Sequence, residues 1–352
     1  MDYQKTLEEL ILTIIRESGS DLHLGVGRRP VIRVLGELTF LLKYPELTRD
    51  DMMGILSVLL NKEKLDEFIK KQEIDFSYDF KGENRFRCNA FFQKGSISLA
   101  MRLIPKVKTL EELRLPPIIA ELTRKKQGFF LCVGSVGQGK STTLAAMINL
   151  INNEEARHII TIEDPIEHIY TPNKAIIDQR EVGIDTSDFH VALKSTFRED
   201  VNVIMIGEMR NIETIGTAVT AAETGHLVLS TLHTNNASQA IDRIIDSFPG
   251  NQQDQIRIQL ASSLLCIFSQ RLIPRIAGGL VPAYEILLNN NAVANLIREK
   301  RTNEIDVVIE TGCEQGMVDL NRSLVELVRA GEISIESAYQ YSLNPKGLER
   351  LL

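Results

Sequence analysis

Residues 128 to 152 read GFFLCVGSVGQGKSTTLAAMINLIN and carry Gly134, Gly139, Lys140 and Ser141 at the G-x-x-x-x-G-K-[ST] spacing of a phosphate-binding loop. Few folds accommodate such a loop. It needs a buried strand before it and a helix after it, so that phosphate meets the positive end of the helix. The apolar run Phe129 to Val133 predicts that strand, and Ser141 to Leu150 predicts that helix. Between them Gly134, Ser135, Val136, Gly137, Gln138 and Gly139 form a turn with inward-facing amides. Lys140 is placed to reach β- and γ-phosphates as a point charge, the Ser141 hydroxyl to ligate Mg²⁺, and Thr142 follows in the first helical turn. The stretch predicts a site for ATP and Mg²⁺.

Beyond the loop, apolar runs alternate with helical patterns: His158 to Ile162, Val201 to Ile206 and Leu227 to Leu232 are rich in Val, Ile or Leu. This predicts a parallel sheet covered on both faces, with ligands beyond the carboxyl ends of its strands. Each run ends in a polar cluster. Glu163-Asp164-Pro165-Ile166-Glu167 places carboxylates beside the phosphates, where Mg²⁺ or water would lie between; Asp164 is an indirect metal contact in this reading. Glu208 closes an almost wholly apolar strand, a costly place for a carboxylate, and reads as general base or as orienter of the attacking water. The bland alternative is an ion pair with Arg210. His233, after the third run, reads as a hydrogen-bonding sensor of the γ-phosphate, while His226 starts that run and lies at its far end. A cation for charge developing in the transition state is still missing. Arg85, Arg87 and Arg102 fall on expected strands of an earlier domain, where they are either solvated strand residues or arginine fingers offered to a neighbouring copy.

At 352 residues the chain is long for one core, so two domains are expected. Leu7, Leu10, Ile11, Ile14 and Ile15 share one helical face; strands follow over Asp21 to Val26 and Val31 to Leu35. Thr48 and Asn61 cap two helices, and Glu73 to Ile104 forms a three-strand meander turning at Lys81-Gly82 and Lys94-Gly95. This makes residues 1–105 an α+β domain, 106–117 a proline-flanked linker and 118–352 the nucleotide domain, helical from about Ala261. A net charge of −7 argues against nucleic acid or an anionic lipid surface as the main partner. Four scattered cysteines without a C-x-x-C pair read as reduced structural thiols, and the absence of a long apolar run predicts a cytoplasmic protein.

With these residues together, the chain resembles the PilT-type twitching-motility ATPases of the type II/IV secretion ATPase superfamily over essentially its whole length. GSVGQGKSTT is similar to the family's Walker A, ITIEDPIEH (160–168) to its Asp box, VIMIGEMR (203–210) to its Walker B and TAAETGHLVLSTLHT (220–234) to its His box. Ser20-Asp21-Leu22-His23-Leu24 and Asn89-Ala90-Phe91 match N-terminal signatures. The resemblance implies a PAS-like first domain, a RecA-like ATPase domain and a homo-hexamer. It also implies a place on the cytoplasmic side of an inner-membrane pilus platform protein, with a second motor ATPase as a further partner. It makes Arg87 and Arg102 the arginines that face the γ-phosphate of an adjacent site. Two departures stand out: Asp200-Val201-Asn202 replaces Asp-Pro-Asp, and Ala294 replaces an arginine in a segment linked to retraction.

The expected activity is ATP hydrolysis driving pilus retraction. Alternatives are a pilus assembly or type II secretion ATPase, an accessory retraction paralogue, a nucleotide-gated scaffold without turnover, and a RecA-like translocase on nucleic acid. The four-cysteine zinc motif and extra N-terminal domain of assembly motors are not in the chain, which favours retraction.

Overall fold

A computed structural model of the chain describes every residue except Met1, Leu35 and Glu83. The fold divides into two compact units, Met1–Lys106 and Val107–Leu352.

The first unit opens with α1 (Tyr3–Arg16), capped by Asp2, which buries Leu7, Leu10, Ile11 and Ile14 completely. Burial of each such side chain contributes about 2 kcal/mol. Strands β1 (Asp21–Gly25), β2 (Val31–Val34) and β3 (Glu37–Phe40) follow. The expected end of β2 at Leu35 lies outside the described residues. Helix α2 (Arg49–Leu59) starts at Thr48 through a capping box with Asp51, and α3 (Lys62–Lys71) at Asn61. The meander is β4 (Glu73–Phe80), β5 (Asn84–Gln93) and β6 (Ser96–Ile104). All six strands join one antiparallel sheet ordered β3-β2-β1-β6-β5-β4. Phe76, Phe80, Phe86 and Met101 point inward onto the same core as α1, α2 and Phe68 of α3.

The second unit runs α4 (Ile118–Thr123), β7 (Gly128–Val133), α5 (Lys140–Glu154), β8 (His158–Glu163), β9 (Ile176–Glu181), α6 (Phe189–Thr196), β10 (Val203–Ile206), α7 (Ile212–Glu223) and β11 (Leu227–Leu232). Then come α8 (Ala237–Asp246), α9 (Gly250–Ser263), β12 (Leu264–Pro274) and β13 (Leu280–Leu288). Its sheet is ordered β13-β12-β7-β11-β10-β8-β9, parallel except for β13. β7, β10 and β11 are buried along their whole length, with α4 and α5 covering one face and α7 to α9 the other. Continuous apolar runs are what burial on both faces requires.

Two expectations need correction. The chain does not turn helical at Ala261: β12 and β13 extend the sheet first. Helices resume with α10 (Asn291–Arg298), α11 (Ile305–Thr311), α12 (Leu320–Arg329), α13 (Ile335–Tyr341) and α14 (Pro345–Glu349). Nor is 106–117 a free connection, because Leu110 and Leu115 are buried in the second unit's core. Where the resembled motors carry Asp-Pro-Asp, the Asn202 side-chain oxygen accepts from the His158 amide at 2.8 Å, an acceptor role that either residue fills. Ala294 is 7 % exposed within the core, so an arginine there would need room that this packing does not offer. Cys88, Cys132 and Cys266 are buried, and burial pushes the Cys132 thiol up to about 12.

Candidate nucleotide-binding site

The turn after β7 is held in shape by β12. Gly134 has φ +149°, and a Cβ there would stand 2.5 Å from the Gln270 carbonyl oxygen, so only glycine fits. Gln270, buried in β12, donates from Nε2 to the Gln138 carbonyl at 2.8 Å and accepts from the Thr143 hydroxyl at 2.6 Å. Gln138 returns the contact, its Oε1 accepting from the Leu272 amide at 2.6 Å. At the start of α5, Gly139 supplies no side-chain cap, which leaves first-turn amides for an anion. Lys140 is 7 % exposed. Its Nζ donates to the carbonyls of Gly134 (2.8 Å) and Ser135 (2.9 Å) and lies 3.4 Å from His233 Nδ1. Burial lowers its pKa from the ordinary lysine value.

The cleft at this edge of the sheet encloses about 450 Å³. Val136 to Thr142, Glu163, Asp164, Glu208 and His233 all line it. Glu163 ends β8 and is 6 % exposed. Its carboxylate accepts from Thr161 Oγ1 at 2.7 Å, Gln179 Nε2 at 3.4 Å and the Glu167 amide at 3.4 Å. Burial nonetheless raises its pKa above the usual glutamate range, the bonds only moderating the effect. Glu208 is set by Gly207, whose amide donates to Ile162 O at 2.8 Å and whose carbonyl accepts from Thr231 Oγ1 at 2.6 Å. Glu208 pairs with Arg210, and the same guanidinium stands 3.8 Å from Asp164. His233 Nε2 is 3.8 Å from Glu208 Oε2; burial and then Lys140 lower its pKa, favouring the neutral ring.

Arg87 and Arg102 belong to the first unit. They face each other across β5 and β6, both exposed, and Arg102 Nε donates to Asp21 Oδ1 at 2.8 Å. Arg85 donates to Ser77 Oγ. His226 stands away from the cleft at the start of β11, its Nδ1 3.0 Å from Ala221 O and its ring edge-on to Phe197. Gln270, Thr143, Thr161 and Gln179 support the site without any motif spacing that marks them in the sequence. Gln270 carried a readable signal, a polar residue inside the apolar run LLCIFSQRLIP.

Among the described residues, no three His, Cys, Asp or Glu side chains are grouped to hold a metal by themselves. That donor set, with Ser141 and Asp164 at the loop, fits an Mg²⁺ ligated largely by phosphate oxygens.

Residues 108–340 match the model of the type II/IV secretion system protein family. The chain belongs to this family. Within the family it is 41 % identical to the type IV pilus retractation ATPase PilT of Pseudomonas aeruginosa, over 97 % of this chain and 99 % of that one. It is 40 % identical to the type IV pilus ATPase PilU of the same organism, over 98 % and 91 %. A crystal structure of the pilus retraction motor PilT with bound ADP superposes with a TM-score of 0.90 at 43 % identity, covering 97 % of this chain and 98 % of that one. These likenesses bear out the α/β fold and the resemblance to the PilT-type ATPases read from the motifs. No helix among the described residues is long and apolar enough to cross a membrane.

Proposed function

We propose that the chain is a type IV pilus motor that couples ATP hydrolysis to retraction. The observation that supports this most directly is the convergence of Lys140, Glu163, Glu208 and His233 on one cleft, in a family member matched along its length to pilus ATPases. The loop amides and Lys140 hold the β- and γ-phosphates. Ser141, and Asp164 through water, would hold Mg²⁺, which when bound would supply neutralising charge beside those phosphates. Two carboxylates divide the handling of water. Glu163, with its proton affinity raised by burial, takes the proton as water oxygen bonds to the γ-phosphorus and the bond to the β-phosphate oxygen breaks. Glu208, fixed by Arg210, orients that water, and His233 donates a hydrogen bond to the γ-phosphate. Of the roles open to Glu208 in the sequence, the geometry favours orienter over base.

In this reading six copies form a ring on the cytoplasmic side of the inner membrane, working on a platform protein and beside a second motor ATPase. Arg87 and Arg102 then act on a neighbour's nucleotide. Arg87→Ala and Arg102→Ala are expected to keep nucleotide affinity and lose turnover, because the charge they meet appears only in the transition state. Rings co-assembled from Arg102→Ala and Glu208→Gln subunits should regain activity at interfaces where both defects fall on other sites. Activity no greater than the sum of the separate variants, with mixing verified, would exclude action in trans.

Deleting the gene tests the direction of work: the expected result is excess surface pili and lost twitching, restored by complementation. Bald cells would overturn retraction in favour of assembly. Near-equal identity to two pilus ATPases of one organism, one of them named for retraction, supports a second reading, an accessory retraction motor. Its mark would be an unchanged pilus number with retraction weakened under load.

A further inference from the structure

The β12–β13 hairpin meets the site on two faces. On one, Gln270 grips the phosphate loop as described. On the other, the segment that carries His233 into α8 is tied down twice. Ser269 and Glu285 stand directly opposite each other in the antiparallel register of β12 and β13, so their side chains share this face. Ser269 Oγ donates to the Asn235 carbonyl at 3.0 Å, and Glu285 Oε1 accepts from the Ala237 amide at 2.8 Å. Ala237 is the first residue of α8, and Asn236 caps it by accepting from the Gln239 amide. Arg243, in the same helix, donates from Nη1 to the His233 carbonyl at 3.3 Å. His233 is therefore two and four residues from two anchored positions, through a segment whose helix also holds its own carbonyl.

Glu285 is 6 % exposed in an apolar strand that otherwise reads VPAYEILL. A buried carboxyl is costly, and the catalytic groups do not use this one. Burial is the main force pushing its carboxyl up to about 7; the Ala237 amide pulls it down, the like charges of Asp306 and Asp319 add to the rise, and Arg271 opposes it. The position therefore tolerates a neutral form, and an amide is a close stand-in for the acceptor.

We propose that Glu285 is a positioning residue for catalysis: together with Ser269 it anchors the start of α8, and so fixes where His233 stands relative to Lys140 and the γ-phosphate. The proposal rests on the role given to His233 above. Losing the anchor should leave the phosphate loop, and hence ATP affinity, in place while misplacing one transition-state contact.

The test is steady-state ATP hydrolysis by the full chain in its assembled form, with Glu285→Leu, Glu285→Gln, Ser269→Ala and His233→Ala compared with wild type. Glu285→Leu is expected to lower kcat about tenfold with KM for ATP within about twofold, and Glu285→Gln to restore most of the loss. Ser269→Ala should lower kcat by about threefold, again without a change in KM, and carries the test should Glu285→Leu not fold. Wild-type kcat in Glu285→Leu, or in Ser269→Ala should that variant carry the test, would overturn the proposal. A loss that Gln does not restore, or one matched by a rise in KM, would do the same. Wild-type kcat in His233→Ala would instead overturn the role of His233 itself. A low kcat there beside normal Glu285 and Ser269 variants refutes only the anchor.

Discussion

Lys140→Ala is expected to weaken ATP binding by about two to three orders of magnitude, as two charge-assisted phosphate contacts disappear. Among the described residues, no other lysine or arginine lines the cleft to replace it. The same ammonium holds the Gly134 and Ser135 carbonyls, so its loss also loosens the turn that presents the amides. Both consequences act in the same direction on affinity. Titration calorimetry with ATP and Mg²⁺ reads the effect, and circular dichroism verifies that the variant is folded. Affinity equal to wild type would show that the phosphates sit elsewhere.

Glu163→Gln is expected to bind ATP normally and to hydrolyse it about a hundred- to ten-thousandfold more slowly, because the amide keeps the side chain's shape and, through its one oxygen, the hydrogen bond from Thr161, but takes no proton. The sign of the pH dependence follows from the raised pKa of Glu163. A base must be unprotonated to act, so wild-type turnover should fall on the acid side at a pH above the ordinary glutamate range. Glu208→Gln should also be slow, yet keep that acid limb, since its defect lies in aiming the water. Residual turnover in Glu163→Gln should lack the limb. The opposite pattern, with the limb lost only in Glu208→Gln, would exchange the two roles.

The loop, the Asp box and the strand ends were legible in the sequence because each is local: spacing alone places Lys140 on a helix start, and a parallel sheet gathers its carboxyl ends without further information. Hydrophobic patterning served equally well where a sheet has one wet face, as in β4, where Ile74 and Phe76 alternate with exposed neighbours. It failed where that contrast is missing. β3 is exposed along its whole length, and β9 is a mixed-polarity edge strand, so neither carries a period. β12 is the opposite case: covered on both faces and following α9 directly, its apolar run does not differ by period from a buried helix. Misreading β12 and β13 concealed Gln270, Ser269 and Glu285, whose work is done across the sheet and has no sequence spacing to announce it. Yet Gln270 and Glu285 carry the same signal as Glu208, a polar group inside an apolar run.

The cysteines give the molecule a practical property. With Cys88, Cys132 and Cys266 buried inside the two units, the one cysteine left for a maleimide dye added to the native protein is the partly buried Cys313 between α11 and α12. Each chain thus comes with a single optical address and can be watched by fluorescence one molecule at a time without first stripping it of its sulfur.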